Sequence, residues 1–116
     1  MRIGWVGGLT RSEVHLARMA AKAGHELEYH DGNIRGHRAD KLRKLVDRSA
    51  LVIILTTINS HQGVHLAKRI ARKHNRPAIV MQRCSQFTFR EILAEFDGKN
   101  DATDLRIAAY GETVRM

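Results

Sequence analysis

The sequence predicts an α/β domain built on a doubly wound parallel sheet with helices on both faces. Three observations predict it. Four apolar runs alternate with four amphipathic helical patterns along the 116 residues. The third run, Ala50 to Ile58, is dominated by β-branched residues without polar alternation, as suits a strand covered on both sides. Each run also passes into the next helical pattern through a short stretch rich in glycine, asparagine or serine. Right-handed crossovers and the commonest doubly wound order then give four strands in the order 2-1-3-4, with room for a fifth beside the fourth.

The first strand is Arg2 to Gly7, closed by Gly7-Gly8. Thr10-Arg11-Ser12-Glu13 then matches a capping box, a hydroxyl three residues ahead of a carboxylate, so a helix is expected to start there. Leu16, Ala17, Ala20 and Ala23 form its apolar face, and Gly24 ends it. His25 to His30 is a weaker second strand, followed by the turn Asp31-Gly32-Asn33. Leu42, Leu45, Val46 and Ser49 mark the inner face of the second helix. The third helix runs from about Ser60 to Asn75, with Val64, Ala67, Ile70, Ala71 and His74 on one face. Pro77 opens the fourth strand, which runs toward Arg83-Cys84-Ser85. Thr88-Phe89-Arg90-Glu91 reads as a second capping box, with Phe87 and Ile92 placed as its hydrophobic staple.

Residues 1–96 thus read as one domain, and 97–116 as an extension whose apolar stretch, 105–110, offers a fifth edge strand or an arm onto a partner. At 43% hydrophobic and 28% charged residues, the composition is that of a folded globular chain. No apolar run reaches the length of a membrane span, and the N-terminus reads as a strand, not as a signal peptide. The single cysteine, Cys84, has no internal disulfide partner, which points to a reducing cytoplasm. Lysine and arginine number 20 against 12 acids, a net charge of +8, which suits an anionic partner. Between Arg35 and Arg76 stand 11 basic residues and two acids, and the second and third helices share one face of the sheet. The opposite face is expected to carry the first helix alone. A homodimer that closes this open face is the economical solution.

In such sheets ligands bind beyond the carboxyl ends of the strands, where the strand order reverses. The residues that follow the four strands are Gly7-Gly8 with Arg11, His30-Asp31-Gly32, Asn59-Ser60-His61, and Arg83-Cys84-Ser85. Neighbouring strands lie about 4.8 Å apart, so these stretches share one rim. With Asn59 or Ser60 as N-cap, His61 falls in the first turn of the third helix, where the dipole favours the neutral ring. A neutral imidazole over a crevice suits a metal ion, a heme iron or a hydrogen bond to a substrate; a plain capping role is the simpler reading. His65 pairs with His61 at helical spacing, and His30 or Cys84 is needed to complete a zinc site.

Two further patterns are weaker. Asp31 follows Gly8 by 23 residues, near where a dinucleotide fold places its ribose-binding acid, but Gly4, Gly7 and Gly8 do not spell the required glycine motif. Cys84 and Arg90 bracket five residues in the outline of a thiolate phosphatase loop, yet phenylalanines replace the glycine such a loop prefers.

Taken together, Gly7-Gly8, His30-Asp31-Gly32, Ser60-His61, Lys68-Arg69, and Arg83 with Ser85 and Phe89 resemble, in order and placement, a bacterial family. It is catalogued as a domain of unknown function, number twenty-three twenty-five, and the resemblance spans residues 2 to 96. It implies a small doubly wound domain, and the family's association with heme implicates His61 and His30 as iron ligands in a dimeric hemoprotein. The chain departs from the family pattern with Tyr29 before His30, Asn33 after Gly32, and Asn59 before Ser60. Three functions follow as expectations: a heme- or metal-binding protein in which Arg11 and Arg83 meet carboxylates; a nucleic-acid or nucleotide-binding module using the basic face; and a thiol-dependent phosphatase at Cys84.

Overall fold

The computed structural model describes residues 1–95 and the backbone of 112–114. Four parallel strands, β1 (Arg2–Val6), β2 (Glu26–His30), β3 (Leu51–Leu55) and β4 (Ala78–Met81), form the sheet. A short β5 (Glu112–Val114) pairs antiparallel with β4, giving the order β2-β1-β3-β4-β5. Among the described residues the α-helices are α1 (Glu13–Lys22), α2 (Arg38–Arg48), α3 (His61–Lys73) and α4 (Gln86–Glu95). The parallel order expected from the alternation is the order found. The apolar stretch 105–110 lies outside the described residues; the edge strand begins at Glu112.

Every residue of β3 and β4 is buried, because each strand is covered on both faces. The register Trp5↔Ile53↔Ile79 places one set of alternating side chains against Leu16 and Ala20 of α1 and Phe89, Ile92 and Leu93 of α4. The other set, Val6, Val52, Ile54, Ala78 and Val80, packs on α2 and α3. Among the described residues two helices therefore cover each face. The face expected to lie open under α1 alone is closed by α4, whose Phe89 is fully buried and meets Trp5 edge-on, with ring centroids 5.1 Å apart. The open sheet face expected to pair in a homodimer is therefore covered by α4.

The helix ends explain where the boundaries fall. In α1 and α3 a left-handed residue follows the C-cap, Gly24 (φ 84°) and Asn75 (φ 53°) respectively. The next amide reaches back to the last turn, His25 N–H to Ala20 C=O and Arg76 N–H to Ala71 C=O, as in a Schellman motif. Neither expected capping box forms. Thr10 enters a 3-10 turn, Thr10–Ser12, with no side-chain cap at its start or at the start of α1. Helix α4 starts earlier than Thr88 predicts, because Ser85 Oγ accepts the Thr88 amide at 3.1 Å and so acts as N-cap. Phe87 is exposed and staples nothing; Cys84 occupies the staple position and packs against the cluster holding Phe89.

Because Phe89 joins α4 to the sheet through Trp5, Phe89→Ala is expected to cost about 3–5 kcal/mol. Urea unfolding followed by circular dichroism measures it, and a loss below about 1 kcal/mol would show that α4 is not a working part of the core.

Candidate functional site

The carboxyl ends of β1, β2 and β3 are tied together by a compact hydrogen-bond network. Gly7 N–H donates to the His30 carbonyl at 2.8 Å, and Gly8 N–H to the Ile58 carbonyl at 2.9 Å. The Tyr29 hydroxyl donates to the Gly8 carbonyl at 2.9 Å. Ser60 is the N-cap of α3, and its hydroxyl serves both directions. It accepts the Gly63 amide at 2.8 Å and donates to the Gly32 carbonyl at 2.7 Å. Asn59 wedges between the first two loops, its Nδ2 on the Leu55 carbonyl at 2.7 Å. Gly32 (φ 89°) leaves no room for a side chain, since a Cβ there would overlap Asn59 Oδ1. A Cβ on Gly63 would likewise strike the Gly32 carbonyl, so α3 approaches the β2 loop backbone to backbone.

Most of the residues singled out in the sequence belong to this network. His30 is buried, and both ring nitrogens are used: Nδ1 accepts the Gly32 amide at 2.9 Å, and Nε2 donates to the Arg38 carbonyl at 3.0 Å. To bind iron through either nitrogen, the ring would have to give up one of these bonds. Asp31 caps its own turn through the Asn33 amide and pairs with Arg38 at 2.9 Å, so both of its oxygens are occupied. Gly7, Gly8 and Asn59 build the turns, and Ser85 caps α4. His61 is the first residue of α3, and it is exposed. Its ring stands 5.8 Å from that of His65 on the solvent side, because Val64, Leu66, Ala67 and Ile70 claim the inner side. Among the described residues no three His, Cys, Asp or Glu side chains come together to hold a metal, so neither His30 nor Cys84 completes a zinc site with that pair.

Two hollows flank the ridge formed by Leu9 and Ile58, and His61 lines neither. One, about 590 Å³, lies over the β1, β2 and β3 loops and is lined by polar residues including Asp31, Asn33 and Arg35. The other, about 460 Å³, opens between α1 and the β4–α4 loop. Trp5, Leu16 and Leu55 supply its apolar lining, and Arg11, His15, Arg83 and Cys84 its polar groups. Among the described residues neither Arg11 nor Arg83 has an ion-pair or hydrogen-bond partner, and the same holds for His15. His15 lines this hollow and belongs to none of the sequence motifs. Its signal was the four-residue spacing from Arg11, which puts both on one side of the first helical turns. Ile58, on the ridge, is a β-branched residue at φ 50°, a conformation held by the Gly8 amide on its carbonyl.

The stretch that follows Cys84 does not take the form of a thiolate phosphatase loop. Burial pushes the Cys84 thiol up to about 12, and residues 86–90 are the first turns of α4, not an anion-wrapping loop. At pH 8 the side chain is therefore almost wholly protonated, and iodoacetamide is expected to modify it far more slowly than a free thiol. Alkylation as fast as that of free cysteine would contradict this burial.

The Ser60 bridge and the Gly63 contact carry a second expectation. Ser60→Ala is expected to cost about 1–2 kcal/mol through the lost cap. Gly63→Ala is expected to cost about 1–3 kcal/mol, toward the upper end because the obstacle is backbone. Thermal unfolding of the two variants tests the ranking; an unchanged midpoint for Gly63→Ala would show that the two backbones can separate freely.

No curated protein and no solved structure matches the chain. A family model matches residues 2–96, and it spans β1 through α4 together with the whole network of the rim. By that match the chain belongs to the family DUF2325, described as an uncharacterized protein conserved in bacteria.

Proposed function

We propose that this protein binds a flat, largely apolar, anionic ligand of the heme class in the cleft between α1 and the β4–α4 loop. The observation that carries this reading is the composition of that cleft. An aromatic and aliphatic floor (Trp5, Leu16, Leu55) is bordered by two guanidiniums and one imidazole whose side chains have no partner among the described residues. Its volume of about 460 Å³ falls in the usual range for small-molecule sites.

The residues present fit such a group. Arg11 and Arg83 approach the cleft from different elements and are suited to fork onto carboxylates at the ligand's edge. His15 supplies an available ring nitrogen of the kind that holds heme iron, and a bound heme would contribute redox and gas-ligand chemistry. Trp5 and Leu55 would exclude water from one side of such a ligand. His61, exposed on α3 and outside this cleft, and His30, with both nitrogens engaged, are the less suited donors.

Titration with hemin tests the proposal, read by the Soret band and by quenching of Trp5, the single tryptophan. His15→Ala is expected to shift or abolish the Soret band while circular dichroism stays native. Arg11→Ala and Arg83→Ala are each expected to weaken binding several-fold without changing the coordination spectrum. Should His61→Ala remove the Soret band and His15→Ala leave it intact, the iron site would lie on α3 and this assignment would fall. An absence of any tryptophan quenching would also sink the cleft as the site.

A further inference from the structure

The second unusual surface is the outer side of the α2/α3 layer, remote from the cleft. Helix α3 carries no acidic residue from His61 to Lys73. Its buried stripe turns His65, Arg69 and Arg72 outward, and all three are exposed. From His61 to Arg72 this ridge runs about 16 Å at the helical rise. Helix α2 packs alongside, both helices returning from strands of one parallel sheet, and it adds exposed Lys41 and Arg43. The acids on α2 are already committed: Asp40 to Lys44 at 3.2 Å, and Asp47 to His74 at 3.1 Å and Arg76 at 3.8 Å. Among the described residues Lys41, Arg43, Arg69, Arg72 and Lys73 have no ion-pair partner.

From this surface we infer a second activity, sequence-independent binding of duplex nucleic acid through its phosphate backbone. Three features select this partner among polyanions. No Phe, Trp or Tyr occurs between residues 31 and 86, so the face has no aromatic platform for stacking unpaired bases. Among the described residues the exposed large hydrophobics, Leu9, Val14, Ile58 and Phe87, all belong to the rim loops, α1 or α4, and none stands on this face as an apolar wedge for a membrane. Both helices lie side by side along the sheet with buried stripes, an arrangement unlike the projecting recognition helix of the base-reading motifs. What remains is a row of cations of the right sign and reach. A ridge of about 16 Å passes some five phosphates of one strand at about 3.4 Å each.

Fluorescence anisotropy with a labelled duplex of mixed sequence tests the inference, across a range of salt concentrations. The double variant Arg69→Glu/Arg72→Glu is expected to bind at least tenfold more weakly. The slope of log affinity against log salt should fall in magnitude by about 1.8, for two lost phosphate contacts. The charge-matched control Arg18→Glu/Lys22→Glu, on α1 across the sheet, is expected to bind like the parent, with circular dichroism confirming the fold of both. An equal loss in the control would overturn the inference by making the effect one of net charge alone. So would tighter binding to single strands or to phosphatidylserine vesicles than to the duplex, or a strong preference for one duplex sequence.

Discussion

The Ser60 hydroxyl is the smallest group on which the arrangement depends. It closes the first turn of α3 by accepting the Gly63 amide, and it joins that turn to the β2 loop by donating to the Gly32 carbonyl. One oxygen thereby sets the height of α3 against β2, two strands away across β1. The contact is possible only because Gly32 and Gly63 have no side chains at the point of approach. His30 locks the same loop from beneath, its two nitrogens spanning from the Gly32 amide to the start of α2. A helix-capping bond, modest by itself, thus becomes the tie between two loops.

That tie divides the molecule into surfaces with different chemistry. Parallel strands deliver the amino ends of all four helices to one edge, where their dipoles add positive potential. Arg11 and Arg83 stand at the same edge beside an apolar floor, a combination that favours an amphipathic anion over a freely hydrated one. The α2/α3 layer is instead cationic and without exposed large apolar groups, so its attraction for anions is long in range and sensitive to salt. The two surfaces therefore favour different partners, one by burial and one by charge.

The motif residues illustrate how structural necessity can imitate a site. Histidine, aspartate, asparagine and serine beside glycines at a strand-to-helix edge have the composition of a ligand-binding loop. In this chain His30, Asp31 and Ser60 spend their hydrogen bonds on neighbouring loops and on the Arg38 side chain. Asn59 gives its Nδ2 to the Leu55 carbonyl and keeps a buried Oδ1 without a partner among the described residues. Parallel strands ending at one level leave amides and carbonyls unpaired, and burying that edge requires polar side chains to satisfy them. Side chains without a partner among the described residues, such as Arg11, His15 and Arg83, are ordinary in sequence and stand out only in space.

The alternation of apolar runs with helical patterns determined the fold class, the strand order and the sharing of one face by α2 and α3, because period and connection length are local properties that topology rules convert into neighbours. Gly24 and Ser60 were legible as helix boundaries for the same reason, each acting through bonds within its own turn. Thr10 and Thr88 misled, because a capping sequence competes with where the packing of Leu16 and Phe89 sets the helix axis. The covering of the second face by α4 depended on Phe89 finding Trp5, residues 84 positions apart in the chain. The destination of each polar side chain was likewise a tertiary matter. Which way His61, His30 and His15 point follows from which helix face is buried against which strand, and no local pattern contains that choice.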